Sequence, residues 1–404
     1  MSLSSGGKRI LFISPFFFPE EISTGKYNSH LVKTLSEKGH SVQVITSYPL
    51  YPDWEPKMTQ ATLPGVDIHR GGLGIRYPKS QVLRRIVLES WFAWYTMKYV
   101  LRRRNDTDLL IVIFPPVFFM LFAHILLPKR VIRIGIVHDL LGVMATSAKK
   151  HSRKIIAKLI RLVESFALGK CDRLVCLSES MRNVITEKYG IPEQKCSVHY
   201  PFVSTAYVTR KTNQLSDIFD ENHLHVVYSG ALGEKQKPVE ISEFFQLLCK
   251  SRKNLKCHIF SRGPLFDKVR RCASLNNVDR MFFHDLVPEE LLTELFDRST
   301  VHVIPQAEGV SAGAFPSKLP NLLAHGVPVF AICDKNSELA TVVTKMGYGK
   351  YVDVWDMPTL VAQMASFFME IEGVSHSEIR EKNEKSLLEM FSVDDLVVNL
   401  VQEL

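Results

Sequence analysis

The sequence predicts an α/β protein built from two Rossmann-like, doubly wound domains. Three observations carry that prediction. Short apolar runs of strand length alternate with helix-spaced segments, the alternation restarts once near the middle, and 404 residues exceed what one core of this kind holds.

Lys8-Arg9 leads into Ile10-Leu11-Phe12-Ile13-Ser14, a buried first strand by its length and continuous apolarity. A loop from Pro15 to Gly25 follows. A helix is then expected from about Lys26 to Lys38, with Leu31, Val32 and Leu35 on its inner side. Gly39 stops it, and Ser41–Thr46 forms the second strand, completing a βαβ unit with a right-handed crossover. Leu109–Leu127 is long and apolar enough to raise a membrane span, but Pro115-Pro116 divides it into a strand, Leu109–Phe114, and a core helix, Val117–Leu127. Val131–Val137 and Arg173–Leu177 are further strands, with a helix over Ser152–Leu168.

An irregular polar stretch, Tyr200–Glu221, separates the halves. Strands are then expected at His225–Gly230, Leu255–Phe260, Met281–Phe283, Val301–Ile304 and Val327–Ile332, with a helix at Glu240–Leu248. The amphipathic tail, Val393–Leu404, comes too late for another repeat and is expected to pack across the domains. The expected domains are 8–205 and 206–385, with a C-terminal segment over 386–404; Met1–Gly7 reads as a leader or tail.

A composition of 46% hydrophobic and 23% charged residues excludes wholesale disorder. The odd set of scattered cysteines (Cys171, Cys176, Cys196, Cys249, Cys257, Cys272, Cys333) reads as free thiols in a reducing compartment, so a cytoplasmic location is expected. The net charge of +8 is concentrated in the first half, where Arg84, Arg85, Lys98, Arg102, Arg103 and Arg104 are interleaved with Trp91, Phe92, Trp94, Tyr95 and Tyr99. No helix-turn-helix, RNA-recognition or zinc-finger pattern accompanies them, so no nucleic-acid partner is expected. Two readings remain for this segment: an anionic membrane surface as partner, or a solvated basic helix whose aromatics belong to the core.

Ligands of open α/β sheets bind beyond the carboxyl ends of the strands, so the residues there are the candidates. After the first strand stand Thr24, Gly25 and Lys26, either an approach for a phosphate or sugar or an ordinary helix entry. After Ile134–Val137 stand His138 and Asp139, either groups for a sugar hydroxyl or reacting charge, or a packed histidine beside a turn cap. Gly230 and Gly233 with Lys235 follow the first strand of the second half, a combination suited to a diphosphate, and Arg262 follows the next strand. The most informative segment is Gly309–Asn321, in which the small-residue loop around Gly313 and Ala314 enters a helix opened by Pro316, Ser317 and Lys318. First-turn N–H groups, helix dipole and the Lys318 ammonium are expected to converge there on an anion.

In order along the chain, these pieces resemble family 4 glycosyltransferases of the two-Rossmann GT-B type, whose two domains face a cleft. The resemblance rests on Phe18-Pro19-Glu20 with Thr24–Tyr27, Lys38–Val42, Tyr51–Trp54, Tyr228-Ser229-Gly230 with Gly233–Gln236, Pro316–Leu319 with Asn321, and Gly326–Val329. It is strongest towards bacterial exopolysaccharide and O-antigen enzymes of the colanic acid kind. The resemblance implies retaining transfer from a UDP- or GDP-linked sugar to a saccharide acceptor, with no obligatory metal or other cofactor. It implies a diphosphate held by Lys235 and the Ser317-Lys318 helix start, base and ribose near Arg262 and Val287, and an acceptor near Gly25 and Asp139. On the membrane reading of the basic, aromatic segment, the protein is expected to work peripherally at the inner face of the plasma membrane, where it would meet a lipid-linked acceptor.

The chain departs from the family pattern at Ala231, where an arginine is common, and at Gly313 and Asn321, where glutamates are common. Asn321 offers a ribose an amide in place of a carboxylate. The family's catalytic histidine falls on Asp139, or on His138 if the loop shifts by one. Asp106-Thr107-Asp108 matches a metal-binding Asp-x-Asp only in spelling, because it joins a helix to a buried strand. Competing functions are a sugar-nucleotide 2-epimerase, which needs a fuller set of acid/base groups, and a non-catalytic sugar-nucleotide-binding protein, which Ala231 and Asn321 motivate.

Overall fold

The computed structural model describes residues 7–20, 22–51, 53–103, 105–142, 151–203, 213–274, 279–310 and 315–401. The chain divides into two compact units, Met1–Ser204 with Ser392–Leu404, and Thr205–Phe391.

The first unit is built on a seven-stranded parallel sheet. Its strands are β1 (Arg9–Ile13), β2 (Ser41–Ser47), β3 (Val66–Gly71), β4 (Leu109–Phe114), β5 (Ile132–Val137), β6 (Arg173–Cys176) and β7 (Cys196–Val198), in the order β3-β2-β1-β4-β5-β6-β7. The chain winds outward from β1 through β2 and β3, then returns to lay β4 on the other side of β1; Ile10 pairs with Val42 on one flank and Leu109 on the other. All six side chains of β4 are buried, the mark of a central parallel strand covered on both faces. Helix α1 (Ser23–Glu37) starts at Ser23, not at Lys26, which puts Thr24, Gly25 and Lys26 in its first turn. Helix α2 (Gln81–Arg103) precedes β4, and the apolar stretch after β4 gives a helix only over Met120–Leu126 (α3), because its first residues turn through Pro115-Pro116.

The second unit repeats the plan with six parallel strands: β8 (Leu224–Ser229), β9 (Leu255–Phe260), β10 (Met281–His284), β11 (Val301–Pro305), β12 (Val329–Ile332) and β13 (Gly349–Val352), ordered β10-β9-β8-β11-β12-β13. Its core packs Phe244, Phe245, Ile259, Phe330 and Phe367 on one another.

The C-terminal segment is two helices in two units. His376–Met390 belongs to the second unit and buries Ile379, whereas Val393–Val401 packs on α1, with Leu396, Val397 and Leu400 sharing a core with Leu31 and Leu35. A Lys38–Asp394 ion pair of 2.7 Å and an Arg173 guanidinium donating to the Asn399 carbonyl at 2.6 Å tie that last helix down. All seven cysteines are free thiols, with Cys171, Cys176, Cys249, Cys257 and Cys333 buried. No helix among the described residues is long and apolar enough to cross a membrane.

Candidate functional site

In each sheet the topology reverses beside the first strand, between β1 and β4 and between β8 and β11, which leaves a crevice at the carboxyl ends of those strands. The candidate residues gather at these two edges.

At the second-domain edge, Lys318 reaches back from the loop after β11 to the end of β8. Its ammonium donates to the Ser229 carbonyl and lies 4.3 Å from the centre of the Tyr228 ring. Gly230 is next, with φ +124, and a Cβ there would stand 3.3 Å from the Lys318 Nζ. Beneath, the Ser229 hydroxyl is 3.3 Å from the Nε2 of buried His302. Burial pushes the Lys318 ammonium down to about 7, so near neutrality it is poised between charged and neutral forms.

Lys235 sits on the short turn Glu234–Gln236, and its carbonyl accepts from the Ala307 N–H at 2.8 Å, which joins the loops after β8 and β11. Gly233 N–H is taken by the Gln236 side chain at 3.0 Å. The Gly309 N–H donates to Asp334 at 3.0 Å, and the Trp355 indole donates to the Gln306 carbonyl at 3.0 Å, so the same edge is laced to the elements around β12 and β13. Gly230, Lys235 and Lys318 therefore belong to one hydrogen-bonded corner. Arg262 and Val287 lie outward along the edge, after β9 and β10, with exposed Arg262 4.0 Å from Asp285.

The helix expected to open at Pro316 starts only at Leu319 and runs six residues, Leu319–Ala324. Pro316 and Ser317 fall in the preceding turn, Ser317 exposed, and the Leu319 N–H is already taken by the Pro316 carbonyl at 3.0 Å. So brief a helix, opening on an occupied donor, contributes little dipole, and the expected cradle of first-turn N–H groups is not what this corner offers. Its cation is. Asn321 lies within that helix; Gly313 and Ala314 lie outside the described residues.

At the first-domain edge, Gly25 packs so closely that a Cβ would stand 2.8 Å from the Glu20 Cβ, so close packing is what requires this glycine. The buried Glu20 carboxylate in turn accepts from the Leu50 and Tyr51 N–H groups at 2.8 and 3.0 Å. Asn28 donates to the Ser14 hydroxyl and to the Phe16 carbonyl, each at 2.9 Å. Tyr27 meets His138 ring edge to ring face at 4.8 Å and stacks on Phe202 at 4.2 Å. The Tyr27 hydroxyl and the His138 Nε2 are both buried, with no hydrogen-bond partner among the described residues. Burial pushes His138 down to about 4, so at neutral pH it is an uncharged imidazole, one donor and one acceptor. It can hydrogen-bond a hydroxyl but not lend positive charge, which removes half of what its position promised. Asp139 follows it, half-buried. Asp106 and Asp108 both turn to Arg9, at 3.8 and 2.7 Å.

Four buried glutamates clamp loops, a role the sequence reading missed even for Glu20, which stands in the Phe18-Pro19-Glu20 motif of the resemblance. Besides Glu20, Glu89 accepts from Val117 and Phe118 N–H, Glu164 from Leu141 and Gly142 N–H, and Glu294 from Gln214 and Leu215 N–H, all between 2.8 and 3.1 Å. Each clamps a loop at two successive N–H groups. Three of those loops follow strands of the first sheet, so these carboxylates shape its edge. A lone glutamate in an apolar helix, as in Leu88-Glu89-Ser90 and Val163-Glu164-Ser165, was the available signal.

Two doubly wound domains, one with a lysine corner at its switch point and the other with shielded hydrogen-bonding groups there, are the architecture of the GT-B fold. Residues 24–207 match Glycosyltransferase Family 4. The chain is 26% identical over 375 residues to Escherichia coli (strain K12) WcaI, named as a colanic acid biosynthesis glycosyl transferase, covering 88% of this chain and 90% of that protein. Among solved structures, it is similar to sucrose-phosphate synthase from Thermosynechococcus elongatus, with a TM-score of 0.75 at 14% identity and 98% of both chains covered. It is also similar to WaaG, a glycosyltransferase involved in lipopolysaccharide biosynthesis, with a TM-score of 0.71 at 11% identity over 97% of this chain and 99% of that one. The chain is thus similar to family 4 glycosyltransferases, in residues 24–207 by the family model and over most of its length by WcaI.

Proposed function

We propose that this enzyme moves a sugar, with retention of configuration, from a UDP- or GDP-linked donor to a lipid-linked saccharide in surface-polysaccharide biosynthesis. The observation that carries the donor half of the proposal is the placement of Lys318. Its ammonium is held at the end of the central strand β8, partly stripped of water, beside a glycine whose missing Cβ leaves it accessible. A diphosphate arriving there meets a cation at short range in a poorly screened site, and it draws Lys318 back to its charged form. Lys235 stands on the neighbouring loop to share the charge, while Arg262 and Val287 border the place for ribose and base, and Asn321 offers an amide to the ribose hydroxyls.

As the bond to the sugar breaks, negative charge grows on the leaving diphosphate, and fixed cations stabilise it there without an obligatory metal. On the first domain, neutral His138 orients a sugar or acceptor hydroxyl and Asp139 takes its proton, near Thr24, Gly25 and Lys26. The polysaccharide setting is supported by the colanic acid and lipopolysaccharide roles in the names of its relatives. That setting fits work on the cytoplasmic face of the plasma membrane, on a lipid-linked saccharide.

The test is transfer with a panel of UDP- and GDP-sugars and lipid-linked acceptors, with and without EDTA. Turnover of one donor that survives chelation is expected. Activity lost in EDTA and restored by manganese overturns the metal-free reading, and interconversion of a donor sugar without transfer establishes an epimerase instead.

A further inference from the structure

Lys318 is not the only group at the end of β8 that can meet a phosphate oxygen. Ser229 closes that strand, and its side chain leaves the sheet on the face opposite to Tyr228, which packs into the core with Val226. His302 of β11 pairs in register with Val227 and so shares the face of Ser229, one step along. That diagonal brings the Ser229 hydroxyl within 3.3 Å of His302 Nε2. Ser229 is half-buried, whereas His302 is fully buried and its N–H donates to the Pro328 carbonyl at 2.9 Å. Phe296 closes on the imidazole edge to face, with ring centres 6.2 Å apart. A hydroxyl at the rim of the corner thus stands on a fixed imidazole beneath it.

The protons of this pair follow from what surrounds it. Burial, and then the neighbouring Lys318 ammonium, hold His302 far below the ordinary histidine range, so the ring is neutral and carries one N–H. Its Nδ1 is buried and has no hydrogen-bond partner among the described residues. A proton on Nδ1 would be a donor stripped of water and left unbonded, the rarer and costlier kind of orphan; a bare lone pair there costs less. The proton therefore sits on Nε2 and is donated to the Ser229 oxygen. The Ser229 hydroxyl is then left with its own hydrogen to give, and no other described group receives it. The backbone of the same residue is engaged separately, its carbonyl accepting from the Lys318 ammonium.

Resting on the reading that the donor diphosphate meets Lys318, we propose that Ser229 is a second donor-binding group, its hydroxyl donating to a diphosphate oxygen, and that His302 is the buried positioning residue that aims it. The relay runs from His302 Nε2–H to the Ser229 oxygen and from the Ser229 O–H to the phosphate. An anion at its end polarises both links and strengthens them, and it favours the tautomer that points hydrogen towards it. Lys318 supplies charge without direction; the hydroxyl supplies direction without charge.

The test is titration calorimetry of the full chain with UDP and GDP, and with uridine and guanosine as probes that lack the diphosphate. Ser229→Ala is expected to bind the nucleoside diphosphate at least ~10-fold more weakly, the loss of a hydrogen bond to a charged acceptor. Its proton uptake on binding should match wild type, because Lys318 keeps the Ser229 carbonyl, and its affinity for the nucleoside should not change. His302→Phe, a ring that cannot donate, is expected to weaken diphosphate binding about 3- to 10-fold in the wild-type background and not at all in Ser229→Ala. His302→Gln, whose amide can donate to Ser229, should recover most of that loss. Two-bond proton–nitrogen NMR spectra, with His302 assigned from its absence in His302→Phe, should show a protonated Nε2 and a bare Nδ1. A proton on Nδ1, or Ser229→Ala that binds the diphosphate like wild type while Lys318→Met does not, overturns the relay alone. Equal losses from His302→Phe in both backgrounds, or a Ser229→Ala that weakens nucleoside and diphosphate alike, overturn it too. Wild type that binds neither diphosphate, or Ser229→Ala and Lys318→Met that both bind like wild type, sinks the donor corner together with the relay.

Discussion

The two domains share one winding plan and differ in where they keep their unusual residues. The first wears them outside: among the described residues it carries twelve of the large exposed hydrophobic side chains against five in the second, and ten of the twelve lie on three adjacent helices. The second keeps them inside. Each half of the chain has seven of the fourteen histidines, yet the fully buried ones described, His225, His258, His302 and His325, are all in the second.

Three histidines there form a ladder across neighbouring strands. His225 Nδ1 is 3.0 Å from His258 Nε2, and His258 Nδ1 is 3.2 Å from His284 Nε2. The far nitrogen of His225 lies 2.8 Å from the Asp220 carbonyl, which can only accept. That carbonyl sets every proton in turn: His225, His258 and His284 must each carry theirs on Nε2. A second proton on His225 or His258 would leave two donors facing each other. One winding plan thus keeps its exceptions on the surface of one domain and in the core of the other.

Acid is expected to have the largest effect, and to act on the second domain. Burial holds His225, His258, His302 and His325 below the ordinary histidine range, His258 at about 2 and His325 at about 4. The unfolded chain binds protons on these groups from about pH 6.5 downward while the folded one does not, so the stability is fully present above that pH and is lost as pH falls below it. Each such histidine removes up to about 1.4 kcal/mol per pH unit. Calorimetric scans from pH 7.5 to 5 should show the transition of the second domain moving down steeply, and less steeply in His258→Leu. A second-domain Tm that is flat over this range breaks the contrast.

Removing a loop clamp comes next. Glu164→Ala leaves the Leu141 and Gly142 N–H groups and the Tyr189 hydroxyl without their carboxylate. A loss of ~2–4 kcal/mol is expected. It should appear in the first-domain transition only, which chemical denaturation followed by a domain-specific probe would resolve. Smaller again is Gly230→Ala, which forces a Cβ into a positive-φ position 3.3 Å from Lys318. A loss of ~1–2 kcal/mol in donor binding, with the folded-state spectrum intact, is the expected outcome in titration calorimetry. Unchanged affinity would remove Gly230 from the corner.

Legibility in the sequence followed burial. Central strands such as β4 announce themselves as Leu109–Phe114 because both their faces are covered. The strands that escaped notice, β3, β7 and β13, end their sheets, where solvent on one side dilutes the apolar signal; Val66–Gly71 reads Val-Asp-Ile-His-Arg-Gly. Lys318 was visible as a candidate, but the reason offered for it, a helix start, gave way to a side chain folded back on Ser229, 89 residues away in sequence. The clamps formed by Glu20, Glu89, Glu164 and Glu294 bridge 22 to 80 residues and leave no local pattern. Contacts of that range are set by the fold, and only a buried charge in an apolar helix hints at them.

The donor corner is the centre of the account, and proton uptake by Lys318 tests it most directly. With its ammonium near 7 in the free enzyme and returned to its charged form by a diphosphate, wild type titrated at pH 8 with the nucleoside diphosphate of its donor should take up close to one proton. Calorimetry in buffers of different ionisation enthalpy reads that number. Lys318→Met should take up none and bind at least ~10-fold more weakly. Wild-type and variant proteins with the same affinity and the same proton balance would contradict the placement of the diphosphate at Lys318.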